Sequence, residues 1–445
     1  MKHLKVSGMI VLLFIFSFNL SKTMAQCDPS KYGIAPNWPI IWDLQEQADW
    51  FQEMSNHGMG FLHSAYNWRQ LQEMVDSHQF ISFRDRIAYE KANYGFDKYL
   101  FQFQNPATVS NSMPPVYCGS PLTNPGTTTA MYNFVCMFLD SMHDVIDYFA
   151  FGGETDVYFK TRPAERDSFV VLANRISNYI DNNYPSIKFG VVVTFHNGIQ
   201  NDPTIWNMVK PFSDMLVVTY WPISSNFVLD PANLDSVQYD ISDLLAAAGS
   251  MPVVIKECGL PTATELGSSD SLQAKFVRET FIHTMNIPQI EAVGFDFLSD
   301  FDTTKIYWYQ NYYITYDPDF YYYISSLGLM DTLGNPKYAY PVYLAMLDTV
   351  CLHNSLAEHH SAKKFQVYPN PFCGQVNILA SEFHAKTEYI IRSTNGAISA
   401  QGRFRDSRLN SIDIQQLENG VYMLEISIDE KFETERHIII KSCIP

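Results

Sequence analysis

Between residues 30 and 350 the chain alternates short apolar runs with helical stretches, and that alternation restricts the folds open to it. Strand-like runs fall at 31–35, 58–63, 98–103, 147–154, 187–194, 215–220, 252–257 and 290–298. Helical patterns occupy 43–57, 68–77, 131–144, 163–183, 271–285 and 338–349. Apolar runs separated by helices of that length build parallel sheet, because each helix returns the chain to the end where the next strand starts. Eight units in one stretch predict an α/β fold, a closed (β/α)8 TIM barrel rather than an open sheet. The Pro/Ser/Asn/Gly-rich segment 105–128 reads as a loop on the functional face, with Pro114–Cys118 as a candidate groove wall.

The two ends read differently. Lys2 and Lys5 precede an apolar stretch from Met9 to Phe18, and Thr23-Met24-Ala25 offers a cleavage position, so residues 1–25 are expected to be a signal peptide. Gln26 precedes Cys27 where a lipoprotein signal has a small residue, which argues against a lipid anchor. No later stretch is long and apolar enough to span a bilayer. Beyond the barrel, expected over 26–354, a polar linker covers 355–364. Short runs at 365–368, 376–379, 389–391, 412–414, 421–428 and 437–440 follow, with Asn395-Gly396 and Asn419-Gly420 as tight turns. They predict a small all-β sandwich over 365–445.

A formal net charge of -17 argues against nucleic acid, whose phosphates recruit Lys and Arg. It suits a neutral ligand such as a glycan. Aromatics make up 15% of the chain, with 27 Tyr and 7 Trp, an excess that suits stacking on sugar rings. The 7 Cys show no zinc-type spacing. Candidate pairs are Cys118 with Cys136, Cys373 with Cys443 and Cys27 with Cys351, leaving Cys258 free. Asp317 and Asp319 lack the regular spacing of a calcium loop. No metal and no cofactor are expected.

Two carboxylates end apolar runs: Glu154 after Phe151-Gly-Gly, and Glu257 after Pro252–Lys256. A charge at the end of a buried strand is costly unless paired or used. In a barrel that end is the chemical face. Counting alternate residues puts Glu154 with Gly152 and Ala150, and Glu257 with Ile255 and Val253, and both series are expected to point inward. Cleaving a glycosidic bond takes such a pair, one acid protonating the leaving oxygen and one carboxylate attacking or activating water.

With these residues in place, the chain resembles the clan A glycoside hydrolases, (β/α)8 enzymes that cleave with retention. The resemblance makes Glu154, ending strand four, the acid/base, and Glu257, within Val254–Thr262 on strand seven, the nucleophile. Gly153 departs from it, since the clan usually has an Asn there that contacts the sugar 2-hydroxyl. Tyr220 matches a strand-six position that holds the nucleophile, with a core Tyr as the alternative, and Trp221 is a candidate floor for the sugar. Phe297 would stack a sugar that Asp296 or Asp300 hydrogen-bonds; the clan often has Trp at this strand end. His196-Asn197, His63 and Trp68 are further substrate-binding candidates.

The tail resembles the type A sorting domain of type IX secretion, through Val367–Phe372, Asn395-Gly396, Ile412–Ile414, Asn419–Tyr422 and Lys441. That implies contact with export machinery and a secreted or outer-surface location. The leading expectation is a retaining β-glycosidase acting on a polysaccharide or oligosaccharide. The alternatives are a catalytically inactive barrel that binds glycans or adheres, and a metal-dependent hydrolase.

Overall fold

The computed structural model describes residues 28–224, 226–356, 365–368, 374–380, 387–393, 397–404, 409–428 and 433–441. Eight parallel strands form the first unit: β1 (Tyr32–Ile34), β2 (Phe61–Tyr66), β3 (Lys98–Ala107), β4 (Tyr148–Gly153), β5 (Lys188–Thr194), β6 (Leu216–Tyr220), β7 (Val253–Cys258) and β8 (Ile290–Phe295). Their order is β1-β8-β7-β6-β5-β4-β3-β2, so the sheet curls until its edges meet. At that seam β1 lies against β2 with no ladder among the described residues. Gly33 makes the close approach possible, since a Cβ there would fall 2.0 Å from the Phe61 carbonyl oxygen.

Side-chain alternation splits the strands into two layers. Phe61, Leu100, Ala150, Val192, Met215, Val217, Val254 and Ala292 fill the barrel interior. The opposite series packs on the helices and is rich in rings: Phe101 on Phe138, Phe103 on Phe151, Phe149 on Phe189. Much of the aromatic content is therefore structural. The helices Leu44–Asn56 and Trp68–Asp76 start where Asp43 and Asn67 cap them, each in a reciprocal capping box.

The tail is a sandwich of two antiparallel sheets. One is β13-β10-β9 and the other β12-β11-β14-β15, from β9 (Phe365–Tyr368), β10 (Gln375–Ala380), β11 (Thr387–Ser393), β12 (Ile398–Arg403), β13 (Leu409–Asp413), β14 (Gly420–Ile428) and β15 (Glu433–Lys441). Val376, Ile378, Ile391, Ile412, Leu424, Ile426 and Ile439 form its core. Strand β12 has no counterpart among the expected runs, because Ile398-Ser-Ala-Gln-Gly-Arg carries too little apolar patterning. Lys441, buried at the end of β15, donates to the carbonyls of Gln415 at 2.6 Å and Ile414 at 3.3 Å, and to that of Leu417. The basic residue near the terminus thus caps the turn that follows β13.

Cys118 and Cys136 are both free thiols, against the expected bridge. Cys118 sits by the Arg69 guanidinium on the loop, whereas Cys136 pairs with Tyr132 along its own helix. Cys258 is free and buried. The other proposed pairs fall outside the described side chains. No helix among the described residues is long and apolar enough to cross a membrane.

Candidate active site

Glu154 is positioned by a tight strand-to-helix turn. Gly152 has φ +74°, where a Cβ would lie 2.3 Å from Thr155 Cγ2, so only glycine fits. Glu154 follows in the left-handed region at φ 47° and ψ 52°. That conformation costs a non-glycine residue roughly 1–2 kcal/mol, the kind of strain that collects at functional positions. Glu154 occupies the N-cap of helix Thr155–Thr161 without using its side chain as a cap. Instead Oε1 accepts from the Thr219 hydroxyl at 2.9 Å and Oε2 from the Thr108 hydroxyl at 3.2 Å. Burial, then the nearby Asp156 carboxylate, raises its pKa above the usual range, against the two hydroxyl bonds and Lys256.

Glu257 reaches the same mouth by a different route. The interior residue of β7 is Val254, while Val253 and Ile255 face the helices, so simple alternation would send Glu257 outward. A bulge reverses this. Ile255 pairs with Val218, but the next partners are Glu257 and Thr219, with Lys256 as the extra residue. Thr219 shares the face of interior Val217, so its ladder partner Glu257 comes to the mouth. The expected position is right and the face-counting behind it is not. Lys256 is fully buried and its Nζ pairs with the Glu257 carboxylate. Burial lowers its pKa to about 8, against the pull of Asp296 and Glu154.

Both glutamates line one cavity of about 1460 Å³, together with His63, His196, Asn197, Trp221, Asp296 and Phe297. His63 Nε2 lies 3.3 Å from Asp296 Oδ1, both buried. Burial lowers the His63 pKa more than Asp296 raises it, so the ring is neutral at pH 7. Asn197 Oδ1 accepts from Lys160 at 2.9 Å. Three expected contributors lie elsewhere. Tyr220 is buried on the outer face and donates to Asp240 Oδ2 at 2.7 Å, because it follows inward Thr219 and must point the other way. Trp68 packs in the core, stacked on Tyr117 at 5.1 Å. That contact also draws segment 114–118 onto Trp68 and away from the cavity wall. Asp300 is tied to Lys337 at 2.6 Å and to the Gly328 N–H, a structural role.

Thr219 and Thr108 went unread in the sequence, the first beside the chosen Tyr220 and the second within the loop 105–128. Gln104 is another. A side chain on Gly153 would meet Gln102 Nε2 at 2.9 Å and Ala107 Cβ and Gln104 Cγ at 3.1 Å, so an Asn there would have to displace these neighbours, and Gln104 itself lines the cavity. The largest omission is the aromatic segment after β8. Helices Thr303–Tyr313 and Pro318–Ile324 bring Trp308, Tyr309, Tyr312, Tyr313, Phe320 and Tyr323 to the cavity wall. Trp308 stacks on Tyr312 at 5.4 Å and 13° and is 49% exposed. Among the described residues no group of His, Cys, Asp and Glu is arranged to hold a metal ion.

Residues 366–441 match the secretion system C-terminal sorting domain family. This tail is a type IX sorting domain, and it assigns the protein to the cell exterior or outer surface. It also implies interaction with export machinery. The barrel is of the fold found in glycoside hydrolases. It is similar to a GH5_18 protein from Streptomyces cattleya solved with GlcNAc, at 13% identity and TM-score 0.57, over 72% of this chain and 80% of that one. A GH5_18 protein from Bifidobacterium longum subsp. infantis gives 15% identity and TM-score 0.53, over 72% and 78%. The exo-beta-1,4-mannosidase of Opitutaceae bacterium strain TAV5 gives 14% and 0.52, over 73% and 60%. At these identities the likeness is one of fold. No curated protein matches the chain by sequence.

Proposed function

We propose that the barrel, spanning the mature chain to about residue 354, is a retaining β-glycoside hydrolase acting outside the cell on a polysaccharide. One observation carries the reading. Thr219 hydrogen-bonds Glu154 through its hydroxyl and pairs with Glu257 through its backbone, so both carboxylates gather around one residue at the C-terminal mouth. Retention calls for the two carboxyl groups to stand roughly 5 Å apart across the sugar. In this mechanism Glu154, whose pKa burial raises, gives its proton to the leaving oxygen while Glu257 attacks the anomeric carbon. Glu154 then activates the water that releases the sugar. Gln104 stands in for the missing Asn at the 2-hydroxyl, and Trp221, Phe297, His196, Asn197, His63 and Asp296 contact the sugar.

The aromatic wall supports a polymeric substrate, since a flat ring exposed beside the cavity offers a platform for a further sugar unit. Trp308→Ala is expected to lower kcat/KM on a long glycan about tenfold, worth ~1.4 kcal/mol, and to leave a small aryl glycoside nearly unaffected. Equal losses on both would assign Trp308 to folding of the wall. The general test is sugar release from mannan, galactan, β-glucan and xylan by the full mature chain. Gly153 favours one other reading, a barrel that binds glycans without cutting them; binding without release on every glycan would establish it.

A further inference from the structure

Three buried polar groups cluster beneath the cavity: Lys256 Nζ, and His63 Nε2 with Asp296 Oδ1, which lie 3.3 Å apart. Lys256 is the cation among them. It is the residue the β7 bulge inserts, and its side chain is 0% exposed. A buried ammonium is costly unless opposite charge surrounds it. Here Glu257 of β7 touches it, and Asp296 after β8 and Glu154 after β4 act on it through space. His63 of β2 faces the same point as a neutral ring. One shell further out, Lys305 faces Asp296 and Asp156 faces Glu154. The hydroxyls of Tyr309, Tyr313 and Tyr323, close to Glu154 or Asp296, stay protonated. Three carboxylates thus share one buried cation.

We propose that Lys256 is a positioning residue whose buried ammonium keeps Glu257 ionised and sets the charge balance between Glu257 and Glu154. The role rests on the two-glutamate reading above and adds to it a device for dividing their tasks. A cation in contact with Glu257 stabilises its carboxylate form, the form a nucleophile needs. The same cation is more distant from Glu154, where burial and Asp156 dominate and favour the acid. Lys256 does not touch substrate, since its Nζ is shielded from the cavity.

The test is Lys256→Met, with Lys256→Arg as the conservative variant, both in the full mature chain. Methionine matches the stem but removes one partner of a buried ion pair and leaves the carboxylates around it uncompensated, so the melting temperature is expected to fall. The side-chain carboxyl carbon of Glu257, labelled with ¹³C and assigned with Glu257→Gln, is titrated by NMR. Its midpoint is expected to move up by about one pH unit or more in Lys256→Met and to return toward wild type in Lys256→Arg. Where turnover is present, both limbs of the kcat/KM profile move to higher pH with it. An unmoved Glu257 midpoint, with or without a lower melting temperature, overturns the proposal and leaves Lys256 a structural ion pair. The NMR arm needs no turnover. A moved midpoint in a chain that cleaves nothing would sink the hydrolase reading and keep this one.

Discussion

Glu257→Gln is expected to abolish turnover, with a loss in kcat on the order of 10⁴-fold or more, while the folded chain persists. The amide keeps the shape and removes the nucleophile, so no glycosyl-enzyme can form. The melting temperature is expected to fall without loss of the fold, because the amide leaves the buried Lys256 ammonium without the carboxylate it touches. Release of reducing sugar and a thermal melt check the two halves separately. Retained hydrolysis in this variant would mean that another group attacks, and the assignment of Glu257 would fall.

The second large effect is at Glu154, and it depends on the leaving group. Glu154→Gln is expected to reduce cleavage of a natural glycan by about 10²–10⁴-fold, the usual worth of general acid–base catalysis. Departure of an activated phenol, which needs no protonation, should suffer far less. Azide should restore turnover of such substrates by replacing the water that Glu154 no longer activates. The pH dependence follows from the raised pKa of Glu154, caused first by burial and then by Asp156. An acid catalyst must hold its proton, so wild-type activity falls as pH rises through that value. Asp156→Asn removes a neighbouring negative charge, lowers the Glu154 pKa and moves the alkaline limb down. A kcat/KM profile measures the shift. An equal loss on natural and activated substrates would remove Glu154 from the acid role.

Much of this architecture could be read from local pattern, because most of the barrel strands are short, largely apolar runs set between longer helical stretches. Glu154 was legible for the same reason: the apolar run of β4 leads to it, and the turn that presents it starts at Gly152. Glu257 was found at the right strand end by a face count that β7 does not obey. A bulge is one extra residue in a ladder, and nothing in Val253–Cys258 distinguishes Lys256 as that residue until β6 lies beside it. Tyr220 shows the converse. Its position matches the clan pattern, yet strand geometry turns it toward Asp240 and gives the inward place to Thr219. The helices at 80–94 and 303–324 escaped because their apolar residues serve two surfaces, which blurs the one-sided period a sequence displays. In the second case those surfaces are a core and a cavity wall, and only the fold reveals that the tyrosines there belong to the site.

The most direct measurement is the mass of the peptide that carries Glu257 after reaction with 2-deoxy-2-fluoro glycosyl fluorides of gluco, manno, galacto and xylo configuration. Such reagents form the glycosyl-enzyme quickly and release it slowly. The mechanism proposed for the barrel predicts a single added sugar on Glu257 in wild type and none in Glu257→Gln. A sugar on any other carboxylate, or products released with inverted anomeric configuration, would contradict it.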